Sequence, residues 1–598
     1  MKLTYRPEID GLRALAVITV VLFHAKAPGF DNGYLGVDIF FVISGYLITS
    51  IIVSEHASNN FSYGRFVMRR VRRILPALVV VMLASIPFAY WLLLPDPLEN
   101  FGQSLVATIF SANNILLWLT SGYWDLTSDF KPLLHTWSLG VEEQFYIFYP
   151  LLLVLILRLR LRACYVLLAF LIVLSFVLMV RIIDDDPSSA FYLLHYRAWQ
   201  LLIGAMAGLL RTRSGLIPKP ALSALGLALI LAALFPAELP IAAALAMATC
   251  GTAAYLLWAS SDSLVTWIFT RRSVVFVGLI SYSFYLWHQP VFAFMRVAFF
   301  EPPSHGEFAL GILLAFGLAV LSWRYVEVPF RSSHNTGSGS LLAFVGAGLA
   351  VSVTAGLTFH FTSGFPHRLQ YSEDVGKAGM SVAYNERIYR LLPRNLPEGA
   401  KKPVVLVAGN SFARDFSNVL LEAGLGDALI LLYRDDLAVC PSEWTDEEKL
   451  LVASLDTLIY ASGNYASDCL EDIIPRAAAL GLPVYFGGKK HFGSNLNPLL
   501  HLTPLERTAV RLRVPKGVRS SNNNQVSRIG DRYINIMAIL SEDGGRSIRV
   551  TNDDGVLLTT DRVHFSEAGA IFLAERLPVL FPEIFALAYQ DGSAEGND

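Results

Sequence analysis

The chain is short of charge. Asp, Glu, Lys and Arg make up only 16% of its 598 residues, where a soluble globular protein carries about a quarter. Its 47 basic and 49 acidic residues nearly cancel, to a net of -2, so there is no global basic field to hold nucleic acid. Four cysteines are too few for a disulfide framework. Cys164 and Cys250 sit in apolar stretches and read as plain membrane-core residues. Cys440 and Cys469 sit in the polar C-terminal third, where they can pair if that third is extracytoplasmic. The marks of a cleavable signal peptide are missing too. The first apolar stretch starts late and no small-residue site ends it, so it reads as a retained first span.

What the chain has in abundance is apolar sequence, 54% of all residues. Stretches near the roughly 20 residues that a spanning helix needs recur along the first 361 residues. They fall at 11–27, 34–54, 75–95, 138–157, 164–183, 195–211, 218–235, 239–259, 274–298, 308–328 and 340–361. The stretch 104–120 is ambiguous, being shorter and interrupted by Ser111, Asn113 and Asn114. Loop charge decides it, since Lys- and Arg-rich loops face the cytoplasm. The basic loops are 65–73, 158–162, 211–213 and 271–272. All four share a side only if 104–120 does not cross. The expectation is therefore eleven crossings, the N-terminus in the cytoplasm and everything after residue 362 outside.

Hydropathy falls at Thr362, and a mixed linker runs to about Lys402. A βα alternation follows. Strands are expected at 403–408, 428–434, 456–462, 483–488 and 546–552, with helices after the first and third and a closing helix at 567–581. That pattern predicts a mostly parallel sheet with helices on both faces. The expected organisation is a membrane domain over 1–335, a linker with the last span over 336–402, and an α/β domain over 403–598.

Chemistry-bearing residues punctuate both halves. In the C-terminal domain Ser411 follows the first strand and opens a helix, where a helix N-terminus can stabilise an oxyanion. Asn464 ends a later strand. Asp561 and His564 stand three apart before the last helix. A serine needs a base held by a third group; His564 can be that base and Asp561 can orient it. Gly-Asn-Ser alone is a common turn and Asp-x-x-His alone is ordinary, but the ordered combination is rare. Gly409-Asn410-Ser411, Asn464 and Asp561-x-x-His564 resemble the blocks of SGNH hydrolases. Asn410 stands where that family usually has aspartate, and Gly424 and Gly426 are candidates for its second-block glycine.

In the membrane half, ten residues separate Arg13 from His24, close to three helical turns, so both lie on nearly the same face. Ionisable groups inside a span are costly and usually functional. Asp38 lies in the second span, and Ser44-Gly45 allows close helix packing. Arg69, Arg70, Arg72 and Arg73 can set topology or bind a phosphorylated ligand. His135, Glu142 and Glu143 open the fourth span, and one of these carboxylates can orient His24. His288 lies in YLWHQP and Glu327 in RYVEVPFR. Any one of these can be a packing residue. Together, Arg13-x10-His24, GYLGVDIFFVISGYLI, the arginines at 69–73, WSLGVEEQFY and YLWHQP resemble the membrane acyltransferase-3 family.

That resemblance, with an SGNH-like domain appended, implies a surface-polysaccharide O-acetyltransferase of the bacterial inner membrane. Acetyl-CoA would be the donor, with Arg13, Arg69, Arg70, Arg72 and Arg73 on its phosphates and no metal. His24 would act as base or acyl carrier, helped by Glu142 or Glu143. The acetyl group would pass to Ser411 and then to a sugar hydroxyl of a surface glycan, with an O-antigen-type sugar favoured. The bilayer is the other expected partner. Two rival readings are an anchored glycan esterase and a transporter of an acylated substrate.

Overall fold

The structure, a computed structural model, describes residues 5–120, 128–213, 217–235, 239–260, 263–331, 336–369 and 381–589. Two compact units make it up. One takes in Met1–Trp91, Pro97–Arg296 and Pro303–Thr362; the other takes in Leu92–Asp96, Val297–Pro302 and Ser363–Asp598.

The first unit is helical. Seven helices among the described residues are long and apolar enough to cross a membrane: Gly33–Ala57, Tyr63–Leu92, Thr136–Ile156, Leu161–Ile182, Ile241–Trp258, His305–Arg331 and Ser338–Phe361. Pro220–Leu234 is apolar but shorter. Three further expected spans coincide with the helices Pro7–His24, Leu194–Arg213 and Arg272–Ala298. These carry Arg13, His24, Arg197, His288 and Arg296, which lower their hydropathy. The ambiguous stretch breaks into Pro95–Ile109 and Asn113–Thr120, each short of a spanning length. Asn113 and Asn114 are buried at the break, donating to the Leu133 and Tyr192 carbonyls at 3.0 Å each.

Burial follows a membrane protein's logic. On Leu161–Ile182 only Cys164, Leu168, Ser175 and Met179 are buried, one stripe at helical spacing. Val166 and Phe170 face outward at 69% and 60% exposure, tolerable in lipid but not in water. Two helices meet backbone to backbone at glycine. A Cβ on Gly45 would lie 1.9 Å from the Leu201 carbonyl oxygen, and one on Gly204 would lie 2.1 Å from that of Val42. This small-residue contact is the one expected at Ser44-Gly45.

The second unit has a five-stranded, all-parallel sheet. Its strands are β1 (Val404–Ala408), β2 (Ile430–Arg434), β3 (Thr457–Ala461) and β4 (Val484–Gly487). Next come β5 (Arg511–Arg513), β6 (Tyr533–Ile534) and β7 (Ser547–Arg549). The sheet order is β2-β1-β3-β4-β6. The correction is the fifth sheet strand, which is the unexpected Tyr533–Ile534; the strand expected at 546–552 is present as β7 but pairs antiparallel with β5 outside the main sheet. A two-residue strand leaves no alternation to read in sequence.

Alternate residues of β1 feed two cores, as a strand covered on both faces requires. Val405 and Val407 join Phe416, Val419, Leu420, Ala570 and Leu573. Val404, Leu406 and Ala408 join Leu470, Ile473 and Ile529. The helix Ser411–Glu422 thus shares a face with Glu567–Ala574. A disulfide joins Cys440 and Cys469, while Cys164 is free and buried and Cys250 free and exposed.

Candidate active site

In the helical unit, ionisable residues line two cavities. One, of about 90 Å³, is lined by Arg13, Arg70, Arg73, Glu142, Ser44 and Tyr146 among others. The other, of about 460 Å³, is lined by His24, Lys26, Asp129, Trp137 and Arg197 among others. Val37 and Tyr285 line both, so they stand between the two. The Tyr285 hydroxyl donates to the His135 carbonyl at 2.9 Å and lies 2.6 Å from Ser138 Oγ.

The arginine cluster divides. Arg70 and Arg73 face the smaller cavity with Arg13, whose guanidinium pairs with Asp10 at 3.0 Å. Arg69 instead pairs with Glu55 at 3.0 Å on the surface. Arg72 is buried and holds backbone, donating to the Phe330 and Thr336 carbonyls at 3.2 and 3.0 Å. Two of the four arginines expected at a ligand are therefore used elsewhere, because neighbouring positions on a helix point a quarter-turn or more apart.

The partner expected for His24 is a second correction. Glu142 accepts hydrogen bonds from Ser44 and Tyr146 on the smaller cavity. His24 is hydrogen-bonded to another imidazole, Nδ1 to His288 Nε2 at 3.1 Å. His288 Nδ1 lies 2.6 Å from the Tyr285 carbonyl oxygen. Arg296 donates to the His24 carbonyl. His135 is buried between the rings of Tyr285 and His288, centroids 5.4 and 5.7 Å away, and neither ring nitrogen has a hydrogen-bond partner among the described residues. Glu143 likewise keeps Oε1 buried without a hydrogen bond there. Asp38 is buried and structural, pairing with Arg197 and Gln200 at 3.0 Å each. Glu327 accepts from Ser283.

In the second unit, Ser411 is the first residue of its helix, directly after the tip of β1. The turn needs Gly409. Its φ is +129°, and a Cβ there would come 2.5 Å from the Ala461 carbonyl oxygen of β3. Asn410 caps the helix, its side-chain oxygen accepting from the Phe412 N–H at 3.0 Å. An amide thus fills the capping role an aspartate would.

Asp561 and His564 form a tight pair, Oδ2 to Nδ1 at 2.6 Å, and the same carboxylate accepts the His564 backbone N–H at 2.8 Å. A carboxylate only accepts, so Nδ1 carries the proton and Nε2 is left with its lone pair. Burial alone would lower the His564 imidazole, but the charge and hydrogen bond of Asp561 outweigh it and hold it above its ordinary 6.5. Burial would likewise raise Asp561; His564 reverses that and keeps it below the usual carboxylate range.

Lys490 ties the two segments together. Its ammonium pairs with Asp415 at 2.5 Å and lies 3.8 Å from the ring centre of Phe412 and 5.1 Å from that of Phe565. Those aromatics directly follow Ser411 and His564. Asn385 completes the support, donating to the Ser411 carbonyl at 2.9 Å and to Asp415 at 2.6 Å. Asn464 is exposed in the loop after β3, its Oδ1 3.5 Å from Ser521 Oγ.

The second-block glycine is a third correction. Gly424 and Gly426 follow the C-terminus of the Ser411 helix, and twelve residues rise about 18 Å, far from Ser411. The loop after β2, beside β1, contains no glycine from Asp435 to Cys440.

Sequence reading missed Tyr285, Tyr146, Arg296, Lys490 and Asn385, and gave Ser44 only a packing role. A signal existed for two of them. Tyr285 stands three residues before His288, one turn away. Lys490 follows a strand tip, where sites of parallel sheets gather.

A family profile described as an acyltransferase domain matches residues 6–324, more than half of the chain. The peptidoglycan O-acetyltransferase OatA of Listeria monocytogenes is 31% identical over 351 residues, 55% of this chain and 56% of that protein. A Staphylococcus aureus protein provisionally named an O-acetyltransferase is 31% identical over 359 residues, 55% of this chain and 58% of its own length. A Bacillus subtilis protein, YrhL, provisionally named a peptidoglycan O-acetyltransferase, is 31% identical over 362 residues, 55% of each chain. The matched region thus spans just over half the length of these relatives. No solved structure matches the chain significantly. With an acyltransferase domain matched over most of a helical unit that pairs the half-buried His24 with the buried His288, the chain belongs to the acyltransferase-3 family of multi-pass membrane proteins.

Proposed function

We propose that the protein moves an acetyl group from acetyl-CoA, held on the cytoplasmic side, to a hydroxyl of a bacterial surface glycan. The observation that carries the reading is His24, hydrogen-bonded to His288 and lining the larger cavity of an acyltransferase domain. Arg13, Arg70 and Arg73 are the residues for the phosphates of the donor. A cavity of about 90 Å³ is too small for a whole acetyl-CoA, so only part of the donor enters it. His24 then serves as base or transient acyl carrier.

The acetyl group next reaches Ser411 in an SGNH-like domain on the outer side of the inner membrane. His564 takes the serine proton as Oγ bonds to the acyl carbon, and passes it to the donor group as that group's bond to the acyl carbon breaks. A sugar hydroxyl then attacks this ester, giving up its proton to His564, which returns it to Ser411 Oγ as the bond from Oγ to the acyl carbon breaks. The N–H groups at the start of the Ser411 helix, with Asn464 in support, are the candidate oxyanion donors. Eleven crossings with the N-terminus in the cytoplasm fit the basic loops. The relatives' names favour peptidoglycan as acceptor, and an O-antigen-type sugar is the alternative.

Deleting the gene should remove acetate from one glycan fraction, read by NMR of purified peptidoglycan and lipopolysaccharide. A gain of acetate would mean a hydrolase instead. Ser411→Ala should abolish glycan acetylation; full retained activity would mean the helical unit acetylates the glycan directly.

A further inference from the structure

His288 sits 0% exposed between a carbonyl group and a second imidazole. A backbone carbonyl can only accept, so the bond of 2.6 Å to the Tyr285 oxygen requires the proton on His288 Nδ1. An imidazolium would need a carboxylate partner at so buried a place, and its hydrogen-bond partners are a carbonyl and an imidazole. His288 is therefore the neutral Nδ1–H tautomer, and its Nε2 offers a lone pair. That lone pair faces His24 Nδ1 at 3.1 Å, so His24 Nδ1 must donate. A neutral His24 then keeps its own lone pair on Nε2.

We infer that the Tyr285 carbonyl and His288 form a tautomer relay that leaves Nε2 of His24 as the reactive nitrogen, with His288 a positioning residue. The inference rests on the acyl-transfer reading of His24. In the carrier role, the Nε2 lone pair bonds to the acyl carbon while the thioester C–S bond breaks and CoA leaves as thiolate. In the base role, the same lone pair takes the proton of an attacking hydroxyl. Both roles fail in the opposite tautomer, whose Nε2 carries a hydrogen. A neutral histidine with no fixed partner divides between two tautomers, so the relay selects the useful one. The Asp561–His564 pair reaches the same result in the second unit by another means, with a carboxylate in place of the carbonyl and imidazole.

The test compares His288→Gln with His288→Leu in membranes of cells expressing the full chain. A Gln side-chain carbonyl can still accept from His24 Nδ1; Leu cannot. His288→Leu should lose about 10²-fold in kcat with the KM for acetyl-CoA nearly unchanged, a general-base magnitude, and His288→Gln should recover most of the loss. Equal activity of His288→Leu and the parent, or no advantage of Gln over Leu, overturns the relay. Since either variant can lose its fold, ring-15N NMR of the parent protein decides independently. A protonated, pyrrole-type Nδ1 at His24 is expected, and a pyridine-type Nδ1 overturns the inference. Parent membranes that fail to consume acetyl-CoA would defeat the acyl-transfer reading, while the NMR result still decides the tautomer.

Discussion

Lys490 and Asp415 form an ion pair of 2.5 Å in which both side chains are only 1% exposed. Burial lowers the Lys490 ammonium, and the Asp415 carboxylate offsets part of that. Breaking such a pair from one side leaves a charge without compensation, at about 3–5 kcal/mol. Lys490→Met should therefore destabilise the protein by that amount, read by chemical unfolding of the purified full chain. The double variant Lys490→Met with Asp415→Asn should recover part of it. If the double variant is as unstable as the sum of the single ones, the pair is not coupled.

Near neutral pH the raised His564 makes activity and stability respond to pH in opposite ways. As a base His564 must be neutral, so the acid limb of any Ser411-dependent acyl transfer should lie above 6.5. For stability, the raised His564 contributes fully below 6.5, and that contribution is lost as pH rises through its folded value. The lowered Asp561 contributes above its ordinary 3.8, and that is lost as pH falls through its folded value. Asp561→Asn should move the acid limb down, because burial then acts on His564 without the main charge and hydrogen bond that oppose it. It should also cost about 10²- to 10⁴-fold in rate. A pH–rate profile with a chromogenic acetate ester reads both.

The arginine cluster should separate by function. Arg70→Ala or Arg73→Ala should raise the KM for acetyl-CoA about tenfold, the loss of one charge-assisted contact of about 1.5 kcal/mol. Arg69→Ala, which removes an exposed pair with Glu55, should leave KM unchanged. Arg72→Ala should lower the amount of folded protein without changing the KM of what remains, since Arg72 holds backbone carbonyls. Uniform effects from all four would contradict the division seen here.

The Cys440–Cys469 disulfide closes a loop with a sequence separation of 29. A closure of that length stabilises by about 3–4 kcal/mol through the unfolded chain. Cys469→Ser should lower the unfolding midpoint accordingly. Reducing agent should have the same effect on the parent and none on the variant.

Much of this organisation is legible in the residues. The apolar stretches marked the helices because a chain in lipid must satisfy its backbone internally and over a fixed thickness. The alternation of β1 between two cores and the placing of Ser411 after a strand and at a helix start follow from local sequence, whereas the close approach of Ala461 to Gly409 comes from strand order. The break at Asn113 and Asn114 was visible as two amides where a span should be apolar. The strand Tyr533–Ile534 was not, since two residues carry no period.

The sequence by itself determined the helical and α/β halves, the residues capable of chemistry, and the local pair Asp561–His564, whose spacing of three needs only one turn of chain. Only the tertiary structure decided which of those residues meet. His24 and His288 are 264 positions apart and Lys490 is 75 from Asp415. Such pairings depend on helix packing and strand order, which short-range periodicity does not encode. For the same reason Glu142 went to Ser44 and Tyr146, and the arginines split by the direction each faces around one helix.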